Sequence, residues 1–364
     1  MLKELRQRNP EVELRFWCDK RFAKQAKSIL SSFDDTIPMH TITAGKLRRY
    51  HHLTFWQHIT WPSLMFKNIA DMILVAVGVV QSFFKLLFWR PDVVFTKGGY
   101  VCLPVGVAAR ALGIPIVVHD SDAHPGLTNR ILAKWANSIA TGAPLSYYSY
   151  PKSKSHYVGI PIDPRFKPAS VEEQIAAKKE WGVDENKPLL VATGGGLGAK
   201  RINDAVIHVL SKLQQSSSVI LVAGAGQYDE LRSLVPENTK NFQIYPFISN
   251  MHSLLTAADI VVARAGATTI LELVATAKPT ILVPNAKLTG GHQVKNAKVY
   301  ADARAVVTID ENEMDKDPTL LVGAVQGLLD DPSGTKDMAE RFAAFAKPDA
   351  AKDVAILIEE AIKR

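Results

Sequence analysis

The stretch Ala192-Thr193-Gly194-Gly195-Gly196-Leu197-Gly198-Ala199-Lys200-Arg201-Ile202-Asn203 joins an apolar run, Pro188 to Val191, to a segment with helical patterning. A glycine turn in that position lets backbone N–H groups approach a phosphate closely, and the positive end of the following helix favours negative charge. About seventy residues on, Arg264-Ala265-Gly266-Ala267-Thr268-Thr269-Ile270-Leu271-Glu272 reads as a second glycine turn opening another helix, with a carboxylate on its second turn. Gly266 can present amides to phosphate, Thr268 and Thr269 can cap the helix or contact phosphate, and Glu272 can accept two hydrogen bonds from ribose hydroxyls. Together they point to a nucleotide-diphosphate site in the second half of a two-domain α/β protein. The plainer alternatives are a tight strand-to-helix turn at the glycines and a solvated helix face at Glu272. Gly290-Gly291-His292-Gln293 follows a strand ending at Val283-Pro284, which puts His292 and Gln293 at a helix start, able to hydrogen-bond polar sugar groups.

Outward from that core the chain alternates short apolar runs with helical patterns, the signature of parallel sheets. In the second half, strands are expected at Leu189–Thr193, Val219–Val222, Phe242–Pro246, Ile260–Ala263, Thr280–Val283 and Ala305–Ile309. The first half predicts strands at Val12–Cys18, Met39–Thr43, Asp92–Thr96, Ile116–His119 and Ser138–Thr141, and a polar, aromatic loop at Tyr147–Ser155. Pro161–Pro168 is a proline-bearing connector, so the expected division is residues 1–160, residues 161–345 and a last helical segment, 346–364, that could cross back to the first domain. Two doubly wound domains facing a cleft are the natural solution, because ligands bind at the carboxyl ends of parallel strands.

The composition is that of a globular protein: 364 residues, 47% apolar, 22% charged. Cys18 and Cys102 cannot make a disulfide framework, and Met1 to Arg6 is charged with no apolar leader, so a cytoplasmic location is expected. Net charge is +7, and between Gly45 and Arg90 six Lys or Arg face one acid, Asp71. The same region holds eighteen residues, Met72 to Trp89, with a single charge, Lys85. A core helix, a helix lying in a lipid interface and a membrane span all fit that composition. A span would break the strand and helix alternation that resumes at Asp92. No basic and aromatic interleaving marks a nucleic-acid partner.

The motifs G-G-G-x-G-A, F-I-x-x-M, R-x-G-A-x-T-x-x-E and G-H-Q-x-x-N-A, in this order and spacing, resemble the MurG family of transferases, which have the GT-B fold. In the first half Gly98-Gly99-Tyr100-Val101, Gly113-Ile114-Pro115, His119 and Gly126-Leu127-Thr128-Asn129 fall where that family has its equivalents. The resemblance covers roughly residues 10 to 345. It implies inverting transfer of N-acetylglucosamine from UDP-N-acetylglucosamine to the C4 hydroxyl of undecaprenyl-linked lipid I, forming lipid II in peptidoglycan synthesis. By position it implies donor-diphosphate contacts at Gly195, Gly196 and Gly198, a uracil pocket at Phe247, Ile248 and Met251, and nucleotide and phosphate contacts at Arg264, Gly266, Ala267, Thr268 and Thr269. Glu272 would take the ribose hydroxyls, while His292 and Gln293 would read the acetamido sugar. Gly98, Gly99, Tyr100, Asp122, Thr128 and Asn129 would face the acceptor. The 62–89 helix matches the family's membrane-docking surface, which favours a peripheral enzyme on an anionic cytoplasmic membrane face. No cofactor and no metal are implied; Asp120-Ser121-Asp122 is a D-x-D in the acceptor half, away from the nucleotide.

The chain also departs from the family pattern. The family starts with a strand and a G-G-x-G-G-H loop whose histidine is a favoured candidate base; this sequence begins after that point. Upstream codons encoding the loop are the expectation, with a truncated, inactive UDP-sugar-binding protein as the alternative. The catalytic base is therefore unassigned, and His119, Asp120, Asp122 and His124 are weak substitutes. Asp120 and Asp122 replace the Glu and Asn of H-E-Q-N, Ile162-Asp163 replaces a valine and an arginine, and Gly196 and Leu197 stand where Ser and Gln are common. Rival readings are a GT-B transferase with another lipid acceptor, such as a diacylglycerol, and a membrane-docked binding protein without catalysis. A dinucleotide oxidoreductase is disfavoured, because Val222-Ala223-Gly224 lacks the acid that grips an NAD ribose.

Overall fold

The computed structural model describes residues 1–31, 33–46, 62–196, 198–236, 239–286 and 291–363. Arg48, Arg49, Leu197 and Gly290 lie outside the described residues. The chain forms two units, Ile162–Pro348 and Met1–Pro161 with Asp349–Arg364.

The Ile162–Pro348 unit is built on six parallel strands: β7 (Leu189–Thr193), β8 (Ser218–Val222), β9 (Phe242–Tyr245), β10 (Ile260–Ala263), β11 (Thr280–Leu282) and β12 (Val307–Thr308), in the order β12-β11-β10-β7-β8-β9. Every residue of β7, β8, β10 and β11 is buried, as a sheet covered by helices on both faces requires. Alternate residues of β7, Leu190 and Ala192, pack with Ile202, Val206 and Leu213 of the following helices in one apolar core. The strand expected over 305–309 shortens to two residues; Ala305 and Ile309 are buried at its ends without belonging to the ladder.

In the other unit the strands fall into two sheets among the described residues. Strands β1 (Phe16–Cys18) and β2 (Met39–Thr41) pair with each other, while β3 (Val94–Thr96), β4 (Ile116–Asp120), β5 (Ser138–Thr141) and β6 (Ser155–Tyr157) form a second parallel sheet. β1 and β2 thus stand apart from the four-stranded sheet. The polar stretch expected as a loop at Tyr147–Ser155 starts at the end of one short 3-10 turn, Leu145–Tyr147, contains a second, Lys152–Lys154, and runs into the edge strand β6. Ser-His-Tyr has no apolar pattern, because an edge strand is covered on one side only.

The four-stranded sheet is packed on both faces. Ile116 and Val118 of β4 join a core with Leu86, Ala108 and Leu132 from helices Pro62–Trp89, Cys102–Ala111 and Leu127–Leu132. Val117 and Ala140 point the other way, onto Val354, Leu357 and Ile358 of the C-terminal helix Ala350–Ile362. Each such side chain, once buried, contributes about 1.5–3 kcal/mol, which holds the last helix to the first unit.

The Pro62–Trp89 helix buries a narrow face, with Asp71, Ser82 and Leu86 turned inward. At Gly78 any Cβ would run into the carbonyl oxygen of Thr43. The Thr43 N–H donates to Gln81 Oε1 at 3.0 Å beside it. Only 17% of its most apolar window is buried. Phe66, Ile73, Val77, Val80, Phe84 and Phe88 are exposed, and at about 100° per residue they fall in one stripe opposite the buried face. The core-helix reading is therefore corrected: this is a surface helix with an uncovered apolar face.

Candidate active site

The Ile162–Pro348 sheet reverses its strand order between β7 and β10. The first strand of the unit has β8 on one side and β10 on the other, and Thr193 pairs with Ala263 at the carboxyl ends of both. Ligands bind at such switch points because the two outgoing loops diverge to opposite faces and leave a crevice. Both glycine turns leave from there. The Gly195 N–H donates to Thr193 Oγ1 at 3.2 Å, and the Gly198 N–H to Gly195 O at 3.0 Å. Gly195 and Gly198 have φ of +74° and +75°, a region that residues with a Cβ rarely adopt. At Gly198 a Cβ would also strike the carbonyl oxygen of Ala223. Thr269 bridges the two turns, its Oγ1 lying 3.8 Å from the Cβ position of Gly195 and 3.9 Å from that of Gly266.

Two helices start at this crevice, Lys200–His208 and Ala267–Thr276, and neither has a side-chain cap on its N-terminal amides. Uncapped amides and the aligned dipole favour an anion between them. Gly196 and Thr268 lie at the surface there, and Ala267 begins the second helix. Glu272, one turn on, is half-buried; desolvation, then the nearby Asp163 carboxylate, push it up to about 7. Met251 opens the helix Met251–Ala257, which packs beside Ala267–Thr276 and follows exposed Phe247 and buried Ile248.

Arg264 sits elsewhere than the expectation of a ligand contact put it. Its guanidinium is buried, donating to Glu311 Oε2 at 2.8 Å and to the Val283 carbonyl at 3.0 Å, so it braces the turn from behind. Glu311 also accepts from the Ala286 N–H at 3.0 Å. Gln293 Oε1 accepts from the Asn285 N–H at 2.8 Å, and Asn296 Nδ2 donates to the Ala265 carbonyl at 3.1 Å. The helix His292–Asp302 is thereby tied to both neighbouring loops, with His292 half-buried at its start. Glu311 escapes sequence reasoning because its partner is 47 residues away; Asn296 stands in the G-H-Q-x-x-N-A motif, where its spacing marks it.

The other unit gathers the remaining candidates at the carboxyl ends of β3 and β4. Gly98 and Gly99, with φ of +83° and +86°, turn the chain against the Asn129 side chain, which approaches to 2.8 Å of the Gly98 Cβ position. Tyr100 donates to Asp19 Oδ2 at 2.6 Å, and Lys46 lies 5.4 Å above its ring. Thr128 and Asn129 are buried, and Asn129 Oδ1 has no partner among the described residues.

His119 is fully buried, with one ring nitrogen 2.8 Å from the Gly159 carbonyl and the other 3.3 Å from the Ser121 hydroxyl. Desolvation lowers it to about 4, so it is neutral and both nitrogens are engaged; its candidacy as a base is withdrawn. Asp120 accepts from Tyr150 Oη at 2.7 Å and is buried. Desolvation raises it to about 7, against the lowering hydrogen bonds from Tyr150 and Asn129. Asp122 and His124 are half-buried. Tyr150, stacked on Tyr148 at 5.7 Å, was not singled out in the sequence.

Over 99% of this chain the structure superposes on that of MurG from Acinetobacter baumannii, covering 93% of it with TM-score 0.72 and 24% identity. The fold and the switch-point site define a glycosyltransferase of the GT-B class. Residues 1–141 match the glycosyltransferase family 28 N-terminal domain and residues 189–354 its C-terminal domain. Relatives named UDP-N-acetylglucosamine–N-acetylmuramyl-(pentapeptide) pyrophosphoryl-undecaprenol N-acetylglucosamine transferase are 33% identical in both Bacillus cytotoxicus and Desulforamulus reducens. The first match covers 83% of this chain and 82% of the relative, the second 90% and 86%. The chain belongs to glycosyltransferase family 28, within its MurG family.

Two outcomes follow from the buried charges. Arg264→Ala leaves Glu311 with the more distant Arg201, 3.7 Å away, and the Ala286 N–H, so it should cost about 3 kcal/mol in urea unfolding, the low end for a broken buried pair. Asp120 keeps its proton up to about pH 7 in the folded protein but only to the ordinary 3.8 when unfolded. Between those values the native state binds more protons, so this group's contribution to stability falls as pH rises. Asp120→Asn, which cannot ionise, should therefore gain in melting temperature relative to the parent as pH is raised from about 4 to 7.

Proposed function

We propose that this protein transfers N-acetylglucosamine from UDP-N-acetylglucosamine to the C4 hydroxyl of the N-acetylmuramyl unit of lipid I, forming lipid II. The observation that carries the reading is the convergence of both glycine turns and two uncapped helix starts on Thr193 and Ala263, in a chain of this family. The acceptor hydroxyl attacks the anomeric carbon as the bond to the UDP oxygen breaks, and the hydroxyl proton passes to a base. Negative charge develops on departing UDP, where the amides at Gly195–Gly198 and Gly266–Thr269 would stabilise it.

In this reading Phe247, Ile248 and Met251 hold uracil, and His292 and Gln293 read the acetamido sugar. The Gly98-Gly99-Tyr100 turn with Asp122, Thr128 and Asn129 receives the acceptor. Arg264 keeps its part in the donor site by holding the Gly266 turn in place. Glu272 accepts from the ribose hydroxyls, and only its ionised form accepts from both.

The exposed stripe of the Pro62–Trp89 helix supports docking on a membrane whose acceptor lipid the enzyme must reach. Because the opposite face of that helix is packed into its own unit, it lies along an interface rather than across a bilayer. The face served is the cytoplasmic one, where UDP-sugars are made.

Turnover of UDP-N-acetylglucosamine with a lipid I analogue tests the whole reading; donor binding without any lipid II product would sink it. Glu272→Ala should raise the KM for the donor roughly tenfold to a hundredfold, the loss of one or two charge-assisted hydrogen bonds. Since burial and Asp163 hold Glu272 at about 7, donor KM should rise as pH drops below that value and level off above it. Glu272→Gln should flatten the profile, and Asp163→Asn should move its acid limb lower. On the membrane side, Phe84→Glu should release the protein from vesicles in a flotation assay, whereas undiminished binding would return the stripe to another role.

A further inference from the structure

A stacked pair of tyrosines ties the acceptor-side residues of the first unit into one network. Tyr148 and Tyr150, past the end of β5, lie with ring centres 5.7 Å apart and planes at 12°. Tyr148 Oη donates to the Asp122 carbonyl at 2.8 Å and accepts from the Ala143 N–H at 3.2 Å. Tyr150 Oη donates to Asp120 Oδ2 at 2.7 Å, and the Asn129 amide donates to the same carboxylate. Asn129 Nδ2 also faces the His119 carbonyl at 3.4 Å. Two acceptors on β4 thus fix which end of the amide points toward the strand. Its Oδ1, buried and without a partner among the described residues, is left against the Gly98 turn, 3.0 Å from the Cβ position there.

The charge on Asp120 decides that orientation. Ionised, the carboxylate accepts from both Tyr150 and Asn129 and holds Nδ2 to itself. Protonated, it has an O–H to place, and Asn129 Oδ1 can take it once the amide turns over. Desolvation raises Asp120 to about 7 against the hydrogen bonds from Tyr150 and Asn129, so both states are populated near neutral pH. The charged and titratable groups around it are Asp122 in the loop after β4, Arg130 beside Asn129, Tyr148 and Tyr150 after β5, and Lys97 just past β3, whose charge reaches His119. The helices on both faces of the sheet meet β4 through apolar side chains.

We propose that Tyr150 is a positioning residue for acceptor binding: through Asp120 it holds the Asn129 amide so that its carbonyl oxygen accepts from a hydroxyl or N–H of the acceptor. Protonation of Asp120 releases the amide, so acceptor affinity follows that proton. The inference rests on the transfer reading and goes beyond it, because that reading needs only Asn129 in place and gives Tyr150 no part.

Steady-state turnover of a lipid I analogue from about pH 5.5 to about pH 8.5 would compare the parent, Tyr150→Phe, Tyr148→Phe and Asp120→Asn, each checked for a folded far-UV spectrum. Saturating donor keeps the Glu272 proton out of the reading, because that group acts on the donor KM. The parent's acceptor KM should rise by up to about tenfold per pH unit below about 7 and level off above it, with kcat little changed. Tyr150→Phe keeps the stacked ring but loses a hydrogen bond that favours the carboxylate, so its limb should move to higher pH. Asp120→Asn, which cannot ionise, should flatten the profile. Tyr148→Phe loses its contacts to the Asp122 and Ala143 backbone and should leave the limb in place, which separates control by a proton from general loosening. Carbon-13 NMR of aspartate-labelled protein, without any substrate, should show a carboxyl titrating near pH 7 that is absent in Asp120→Asn and shifted upward in Tyr150→Phe. A Tyr150→Phe profile that superposes on the parent's, or an equal shift in Tyr148→Phe, would overturn the inference and leave the transfer reading intact. A parent that makes no lipid II at any pH would remove the transfer reading and this role with it.

Discussion

The pairing of β7 with β10 is the constraint on which the donor half depends. It sets Thr193 beside Ala263, so that two glycine turns separated by about seventy residues leave the sheet from adjacent points. Everything that could touch a diphosphate follows from this adjacency: the backbone at Gly195, the Thr269 hydroxyl between the turns, and the uncapped starts of two helices. The bracing lies behind them. Arg264 and Glu311 form a buried pair under the second turn, and Asn296 fastens the next helix to it. Such a pair adds little net stability, because desolvation offsets its attraction, but breaking it leaves a buried charge short of a partner, which is costly.

The first unit solves a different problem. It must cover both faces of a small parallel sheet and still leave one helix with its apolar side uncovered. The C-terminal helix covers one face through Val354, Leu357 and Ile358. On the other face the Pro62–Trp89 helix contributes only a narrow seam, and the close approach at Gly78 brings it onto the backbone near Thr43. A polar interior at the carboxyl end of β4, His119 and Asp120 with Tyr150 and Asn129, holds the segment that leads to Asp122 and His124.

The legible parts were those whose signal is local. Continuous apolar runs marked β7, β8 and β10 to within a residue, because strands buried on both faces show no alternation. β6 was read as loop, since Ser155-His156-Tyr157 has one covered face and no apolar run. The split of the first unit's strands into two sheets is a matter of which edges meet, which no single strand encodes. Arg264 was identified by its motif and misjudged in orientation: a guanidinium next to a glycine turn could face ligand or core, and Glu311 turns it inward.

The sequence by itself determined the chemistry on offer: glycines where the backbone must turn with positive φ, an acid on the helix after Gly266, and an apolar helix flanked by cations. These are properties of short segments, and backbone sterics and hydrophobic periodicity act at that range. Only the tertiary structure decided which of those groups are available. Burial made His119 neutral and tied it at both nitrogens, raised Asp120 and Glu272 toward neutrality, and brought Tyr150 and Asn129 onto the Asp120 carboxylate. The reason is that desolvation and charge proximity depend on neighbours brought in by strand order and helix packing, and those neighbours lie far away along the chain.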